Sequence, residues 1–295
     1  MNYKSFTETN GTLIVGCGDL GRRLAARLVA RGEETTGLVR TTASGEALAD
    51  LGISPLVMDL DRQPQPPLLG HPFRRIYYFA PPPAMGSEDP RLATYLEARR
   101  TQAPERIVYV STTGVYGDAG GAWITEATPT QALTDRAQRR LWAENHLREW
   151  CAEHGTQWLI LRVPGIYGPG RLPETRLRAG SPMVRPEEAP FTNRIHSEDL
   201  ADICVAAMDR GPNGAIYNAT DGNPGTMTDY FNDVAKLLGL TPPPLVSLEE
   251  AKRLLGPAMA SYLGESRRIS NRKLIEELGI SLRYPTLELG LPACI

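Results

Sequence analysis

Short apolar runs alternate with segments of helical periodicity through the first half of the chain. The runs are apolar along their whole length, as in strands that are buried on both faces of a parallel sheet. The pattern therefore predicts a doubly wound α/β fold with helices on both sides of the sheet. Predicted strands cover 12–16, 35–40, 54–58, 75–79, 106–110 and 157–161, and predicted helices cover 20–30, 43–51, 91–101 and 135–153.

The pattern changes after Arg162. Residues 164–170 are rich in turn-forming residues, and 172–194 contain several prolines with little periodicity, which indicates loop or cap structure. Helical periodicity returns at 198–208, 227–238, 248–255 and 271–278, with a short strand at 215–218. These shifts predict two domains. The first comprises 1–163 with about 195–222, and the second, smaller and mixed, comprises 164–194 and 223–295.

Composition excludes several partner classes. The formal net charge is −2, with 32 basic and 34 acidic residues, so the surface as a whole has no attraction for nucleic acid or anionic lipid. No apolar stretch is long enough for a membrane span, and the polar leader lacks the apolar centre of a secretory signal. The four cysteines and four histidines show no disulfide or metal-ligand spacing, so we expect a cytoplasmic protein without a metal.

A glycine motif joins the first predicted strand to the first predicted helix. Gly16, Gly18 and Gly21 form the pattern Gly-x-Gly-x-x-Gly. The first glycine permits a tight turn, the second lets a pyrophosphate approach the backbone, and the third allows close packing of helix and sheet. The helix start, with Asp19 and Leu20, would present amide groups to the anion. The alternative is a glycine-rich turn without a ligand, which the surrounding strand–helix–strand unit disfavours.

The end of the second predicted strand bears on which dinucleotide binds. An acidic residue there favours NAD, whereas a basic residue can pair with the 2′-phosphate of NADP. This chain has Arg40 at that position and Arg22 after the third glycine, which favours NADP. In the alternative, Arg40 is only a solvated strand end. Asp59, after the third strand, could accept a hydrogen bond from the adenine amino group or could cap the next turn.

Further landmarks follow in order along the chain: Asp59-Leu60, Ala80, 108–117, 161–170, 194–200, 216–218 and 273–279. Together with the glycine turn they resemble the extended and atypical short-chain dehydrogenase/reductase superfamily, the NAD(P)-dependent epimerase/dehydratases. The resemblance implies a Rossmann domain with cofactor contacts at Leu60 and Ala80, and it implies a small-molecule substrate. It also implies that Pro164 and its loop lie beside the nicotinamide, and that the chain forms a homodimer.

In that family a Ser or Thr four residues before the Tyr of Val-Tyr-Gly hydrogen-bonds the reacting oxygen. This position is Thr112, and Ser111 is its neighbour at the strand end. Either hydroxyl could face the ligand, with Ser111 as a contact to the cofactor. The family's tyrosine and lysine, one helical turn apart, correspond to Arg136 and Arg140. A guanidinium stays protonated and cannot pass a proton at neutral pH, so the usual proton relay is absent. The departure resembles an atypical subgroup that has lost this pair.

Three interpretations remain. In the first, the chain is an NAD(P)-dependent epimerase, dehydratase or reductase for a sugar-like or other polar substrate. A substitute acid such as Tyr116 or a cap residue would then act, and Arg136 and Arg140 would grip an anionic group from one helix face. In the second, the chain is a catalytically inactive NADP-binding sensor. In the third, the arginines form a solvated face and the alignment is wrong by one turn. We favour the enzyme.

Overall fold

The computed structural model describes residues 11–62 and 73–295. The polar leader, for which the absence of a secretory signal was predicted, and His71 lie outside the described residues. The chain divides into two compact units. Unit 1 comprises Met1–Ser111, Gln138–Leu161 and Ala201–Ile216, and unit 2 comprises Thr112–Ala137, Arg162–Leu200 and Tyr217–Ile295.

A seven-stranded sheet forms the frame of unit 1. Its strands are β1 (Thr12–Val15), β2 (Thr35–Val39), β3 (Ser54–Val57), β4 (Arg75–Tyr78), β5 (Arg106–Thr112), β7 (Gln157–Val163) and β12 (Ala215–Asn218). Their order is β12-β7-β5-β4-β1-β2-β3, and the ladders from β3 to β5 are parallel. The order reverses between β1 and β4, which is the switch point of a doubly wound fold. The predicted fold class is confirmed.

The helices of unit 1 are α1 (Asp19–Ala30), α2 (Thr42–Ala49), α3 (Pro90–Glu97), the long α4 (Asp135–His154) and α6 (Ser197–Arg210), of which α4 and α6 begin in unit 2. α1 buries Leu20, Leu24 and Leu28, the apolar stripe that predicted it. α3 is shorter than predicted. Its start is fixed because the Asp89 side chain accepts a hydrogen bond from Leu92 N at 3.1 Å.

The core of unit 1 lies against the sheet. Leu13, Ile76, Ile107 and Tyr109 on the strands are at most 1% exposed, and they belong to one apolar cluster that includes Leu147 of α4. The β-branched and aromatic residues of the predicted strands therefore supply this core. Within the described residues, no helix is long and apolar enough to cross a membrane.

Unit 2 contains short strands and helices. The strands are β6 (Trp123–Ile124), β8 (Gly165–Tyr167), β9 (Met183–Val184), β10 (Phe191–Thr192), β11 (Arg194–His196), β13 (Gly225–Thr226), β14 (Leu245–Val246) and β15 (Arg268–Ile269). The helices are α5 (Glu174–Arg178), α7 (Met227–Leu237), α8 (Leu248–Leu254), α9 (Gly256–Leu263), α10 (Arg272–Leu278) and α11 (Leu287–Gly290). The segment 172–194, expected as loop or cap, thus holds α5 and two strands.

The division into units differs from the predicted domains mainly at one segment, with smaller shifts at 162–163, 195–200 and 217–222. The strand end and loop from Thr112 to Ala137 belong to unit 2, whereas the sequence placed them in the first domain. Strand pairing explains this assignment to unit 2. β6 pairs in parallel with β15, so Trp123 lies opposite Arg268 and Ile124 opposite Ile269. Strands of two residues give too little periodicity to be detected in a sequence.

Gly117 ends the Val-Tyr-Gly segment in a conformation that favours glycine. Its φ is 69°, and a Cβ there would lie inside contact distance of the Gln131 carbonyl oxygen. Gln131 N in turn donates to the Val115 carbonyl at 2.9 Å. The glycine is therefore required by this close approach of two backbone segments.

We expect Gly117→Ala to lower the free energy of unfolding by about 2–4 kcal/mol, because it adds a steric clash to a left-handed conformation. The control is Gly120→Ala, which has φ 55° but nothing within 4 Å of the added carbon. It should cost about 1 kcal/mol. Urea unfolding measures both values, and equal losses would contradict this account of Gly117.

Candidate functional site

The glycine turn lies in unit 1 between β1 and α1. Gly16 has φ 82°, and a Cβ on it would stand 2.6 Å from the backbone nitrogen of Ala80. A Cβ on Gly21 would lie 3.1 Å from Cys17 Sγ and 3.2 Å from Ile14 Cγ2, so this glycine permits close packing of helix and strand. Ala80 follows β4, and the turn therefore occupies the switch point of the sheet.

Gly18 differs from the other two glycines of the turn. It is the N-cap of α1, no side chain caps the helix there, and a Cβ at this position would meet nothing within 4 Å. The first helical turn carries amide donors and the positive end of the helix dipole. Open space over such donors fits a pyrophosphate. The Asp19 carboxylate accepts from Arg23 at 3.2 Å, and Leu20 is buried on the core side.

The loops after β2, β3 and β4 carry the charges beside this turn. Arg40 is exposed at the end of β2. Asp59 Oδ1 accepts from Asp61 N at 3.1 Å, which is the turn-capping alternative. Asp61 forms a two-point ion pair with Arg91, with both distances 2.6 Å, and Arg91 and Arg40 lower the pKa of Asp61. Leu60, between the two aspartates, is half-buried.

Ser111 and Thr112 end β5 with different partners. Ser111 Oγ donates to Glu144 Oε1 of α4 at 2.6 Å, and both residues are buried, so this hydroxyl proton is already engaged. Thr112 Oγ1 accepts from Gly114 N at 3.2 Å, and Thr112 lines a cavity of unit 2. A hydroxyl that accepts one hydrogen bond can still donate its own proton to a ligand oxygen.

Tyr116 is 2% exposed and is absent from the described lining of that cavity. Its hydroxyl donates to Asn218 Oδ1 at 2.8 Å, and the Arg162 guanidinium stacks over its ring at 4.8 Å. Burial raises the pKa of Tyr116. Both features oppose its use as an acid near neutral pH, and they suit a residue that shapes the fold around it.

Arg136 and Arg140 are one turn apart on α4, but their side chains have different surroundings. Arg140 donates to the Tyr109 hydroxyl at 3.0 Å and to the Val110 carbonyl at 3.2 Å, beneath β5 in unit 1. Arg136 lines the cavity of unit 2, with its guanidinium 4.0 Å from the centre of the Tyr262 ring. The structure therefore does not bring the two guanidinium groups together around one anion.

The cavity of unit 2 has a volume of about 360 Å³. Pro164 and Gly165 line it, as does Thr112. Its charged lining consists of four arginines and one carboxylate, Arg136, Arg176, Arg194, Arg267 and Glu265. Positive charge therefore exceeds negative charge among the described lining residues, which suits an anionic ligand.

Three guanidinium nitrogens of this lining are buried without a hydrogen-bond partner among the described residues: Arg136 Nη2, Arg176 Nη2 and Arg267 Nε. Arg176 stacks on Phe231 at 4.8 Å, and burial lowers its pKa, though an arginine remains protonated in proteins. Buried donors of this kind cost about 1–3 kcal/mol each when unpaired. They mark a place where ligand oxygens would be bound.

Two further side chains are of types that can carry chemistry, the imidazole of His196 and the thiol of Cys17. His196 is buried, and its Nδ1 accepts from Glu198 N at 3.2 Å. Burial raises the pKa of the Cys17 thiol to about 12, which makes it unreactive. In the ranges 11–62 and 73–295, no three His, Cys, Asp or Glu side chains are placed to hold a metal ion.

Sequence reasoning missed Arg176, Arg267 and Glu265. They lie in 164–194 and 223–295, where neither periodicity nor a motif distinguishes a lining residue from a surface residue. Their grouping comes from short strands and helices that are visible only in the structure.

Known proteins share this architecture. Residues 92–220 match the model of the NAD dependent epimerase/dehydratase family. Protein YeeZ of Escherichia coli strain K12 is 28% identical over 286 residues, which cover 92% of this chain and 95% of YeeZ. A structure of a conserved protein of unknown function from Silicibacter pomeroyi is 33% identical, with a TM-score of 0.84 and coverage of 97% and 98% of the two chains.

UDP-glucose 4-epimerase from Thermotoga maritima, solved with UDP-glucose, is 15% identical, with a TM-score of 0.79 and coverage of 96% of this chain and 97% of that chain. At 15% identity, this similarity shows a shared fold only. The ordered landmarks, the family model and the similarity over nearly the whole chain agree. The chain belongs to the NAD-dependent epimerase/dehydratase family.

Proposed function

We propose that this protein is an NAD(P)-dependent enzyme that oxidises and reduces a carbinol carbon of an anionic sugar, with nucleotide sugars as the substrate class. The observation that carries this proposal is the cavity of unit 2, whose lining holds three arginines with an unpartnered guanidinium nitrogen and the hydroxyl-bearing Thr112. Arginine forks match phosphate oxygens in geometry and charge. Such a lining binds an anion, and a sugar hydroxyl can meet the threonine.

The cofactor would bind at the glycine turn. Gly16, Gly18 and Gly21 leave the helix start open to the pyrophosphate, and Arg40 would pair with a 2′-phosphate, which favours NADP over NAD. The bound nicotinamide would exchange a hydride with the carbinol carbon. The chain itself would orient the substrate. Thr112 would donate to the reacting oxygen, and Pro164 would line the wall of the cavity.

Two comparisons support the substrate class. The family is NAD-dependent, and the Thermotoga maritima epimerase of the same fold was solved with UDP-glucose. A ligand with two phosphates and a sugar offers acceptors for the arginines and a hydroxyl for Thr112. The apolar lining, which includes Phe191, Met227 and Phe231, would bury the less polar parts of such a ligand.

The second candidate is a catalytically inactive NADP-binding sensor. Arg136 and Arg140 replace the proton-transferring pair, and the Tyr116 hydroxyl is bound to Asn218, so none of the four predicted catalytic side chains offers the cavity a group that exchanges a proton readily near neutral pH. A sensor would bind the cofactor but would not turn over any substrate. Turnover of a nucleotide sugar separates the two functions.

Arg40→Glu tests the cofactor assignment. Loss of a charge-assisted contact to the 2′-phosphate should weaken NADPH binding by about 10- to 100-fold and should leave or improve NADH binding. Calorimetric titration of both cofactors measures the change. Arg210→Glu is the control, because it makes the same charge change at another exposed site of unit 1. An unchanged preference in Arg40→Glu would contradict the NADP assignment.

Arg176→Gln tests the anion site. We expect it to raise the dissociation constant of UDP-glucose about 10-fold or more in the NADP-loaded protein, because one charged donor to phosphate is lost. Arg178→Gln on the same helix is the matched control, since its side chain is 60% exposed and pairs with Glu174. Equal effects of both substitutions, or no UDP-glucose binding by the wild type, would exclude this site for this substrate.

A further inference from the structure

Glu265 is the one carboxylate among the described residues that line the cavity of unit 2. It follows α9 and is 8% exposed. Its two oxygens have different surroundings. Oε2 accepts from Arg267 Nη1 at 2.8 Å, whereas Oε1 is buried without a hydrogen-bond partner among the described residues.

A gap separates this oxygen from one of the cavity's guanidinium groups. Arg136 Nη2 stands 3.8 Å from Glu265 Oε1, which is too long for a hydrogen bond, and this nitrogen is also unpartnered among the described residues. One oxygen placed to the side of this pair, about 2.8 Å from each atom, would bridge them. A hydroxyl there would accept from Arg136 and donate its proton to Glu265.

Thr112 lies beside the same gap. A Cβ on Gly114 would be 3.1 Å from Arg136 Nη1 and 3.5 Å from Thr112 Oγ1, so these two side chains flank one small volume. Glycine at 114 keeps that volume free of a side chain. Thr112, Arg136 and Glu265 thus form a continuous series of polar groups along the cavity wall, with one donor, one cation and one proton acceptor.

Oxidation of a substrate alcohol requires the proton acceptor of this series. Oxidation of an alcohol removes a hydride from carbon and a proton from oxygen, so a base must receive the proton. The arginines of the cavity are protonated and cannot accept it. The Tyr116 hydroxyl is turned to Asn218. The Glu265 carboxylate is the described group of this lining that can accept a proton.

We propose that Glu265 is the catalytic base and acid of this site. This inference rests on the function proposed above. Glu265 Oε1 takes the proton of the substrate hydroxyl while the carbinol hydrogen leaves with its electron pair to the oxidised nicotinamide, and the carbon–oxygen double bond forms. In the reverse direction the protonated Glu265 returns its proton to the alkoxide oxygen. Arg267 and Arg136 are positioning residues that fix the carboxylate and the hydroxyl.

A purely structural role of Glu265 predicts a different experimental result. Arg267 Nη1 also donates to the Gly117 carbonyl at 2.6 Å, so Glu265 could serve only to neutralise Arg267 within the fold. That role uses Oε2 and leaves Oε1 buried and unsatisfied, a cost that native proteins seldom retain without a use. The two roles differ in whether an added carboxylate restores turnover to a variant that lacks the Glu265 side chain.

The test uses full-length protein loaded with NADP⁺, with UDP-glucose as substrate. Reduced nicotinamide is followed by absorbance, and calorimetry measures cofactor and UDP-glucose affinity. The variants are Glu265→Gln, Glu265→Ala with and without added formate, and the exposed control Glu187→Gln. Thr112→Val is included because it should lower turnover without removing the base.

We expect Glu265→Gln to lower kcat by about 100-fold or more with both dissociation constants unchanged. Formate should restore part of the activity of Glu265→Ala by supplying a carboxylate. Glu187→Gln should behave as wild type.

The failures are distinguishable. If the wild type binds NADP⁺ but does not turn over UDP-glucose, the proposed function is wrong, and the role of Glu265 falls with it. If the wild type turns over and Glu265→Gln keeps its kcat, only the assignment of Glu265 is wrong. If Glu265→Gln and Glu265→Ala lose cofactor binding and formate restores nothing, Glu265 is structural.

Discussion

The cofactor turn depends on how closely two strand ends of unit 1 approach each other. A side chain at residue 16 would collide with the backbone of Ala80, so the chain can turn there only as glycine in a left-handed conformation. Because β1 and β4 lie on the two sides of the order reversal, this contact places the start of α1 at the switch point. The open helix start at Gly18 follows from it.

A second constraint acts in unit 2, and it concerns partly buried charged side chains rather than a close contact of the backbone. Three guanidinium groups stack on aromatic rings: Arg136 on Tyr262, Arg176 on Phe231 and Arg194 on Tyr230. This stacking orients each guanidinium group. Two of these stacked arginines, Arg136 and Arg176, also keep a buried nitrogen without a hydrogen-bond partner among the described residues. Under the proposed function, the stacked guanidinium groups would form a preorganised anion site.

The sequence predicted unit 1 well because its signals are long and repeated. Apolar strands of four to seven residues and the Gly-x-Gly-x-x-Gly turn are visible without a structure. It also predicted that Thr112 would face a ligand, through a resemblance. It could not choose between Ser111 and Thr112, since the choice depends on Glu144, which is thirty-three positions away and accepts a hydrogen bond from the serine hydroxyl.

The cavity of unit 2 could not be predicted from the sequence, for a physical reason. Its strands have two or three residues, too short for a period, and Arg176 and Glu265 come from segments far apart in the chain. The same limit applies to Arg136 and Arg140. Their spacing places them on one helix face, yet Arg140 is held by Tyr109 and Val110, and only Arg136 reaches the cavity.

The central claim is that a dinucleotide pyrophosphate rests on the open start of α1. Calorimetric titration of NADPH into wild type, Gly18→Val and Ala30→Val, the last an exposed change at the far end of the same helix, tests it most directly. A valine at 18 has space and should leave the melting temperature unchanged, but it should abolish saturable NADPH binding, whereas Ala30→Val should bind as wild type. Saturable binding that survives in Gly18→Val, or no binding of NADPH or NADH by the wild type, would contradict the account.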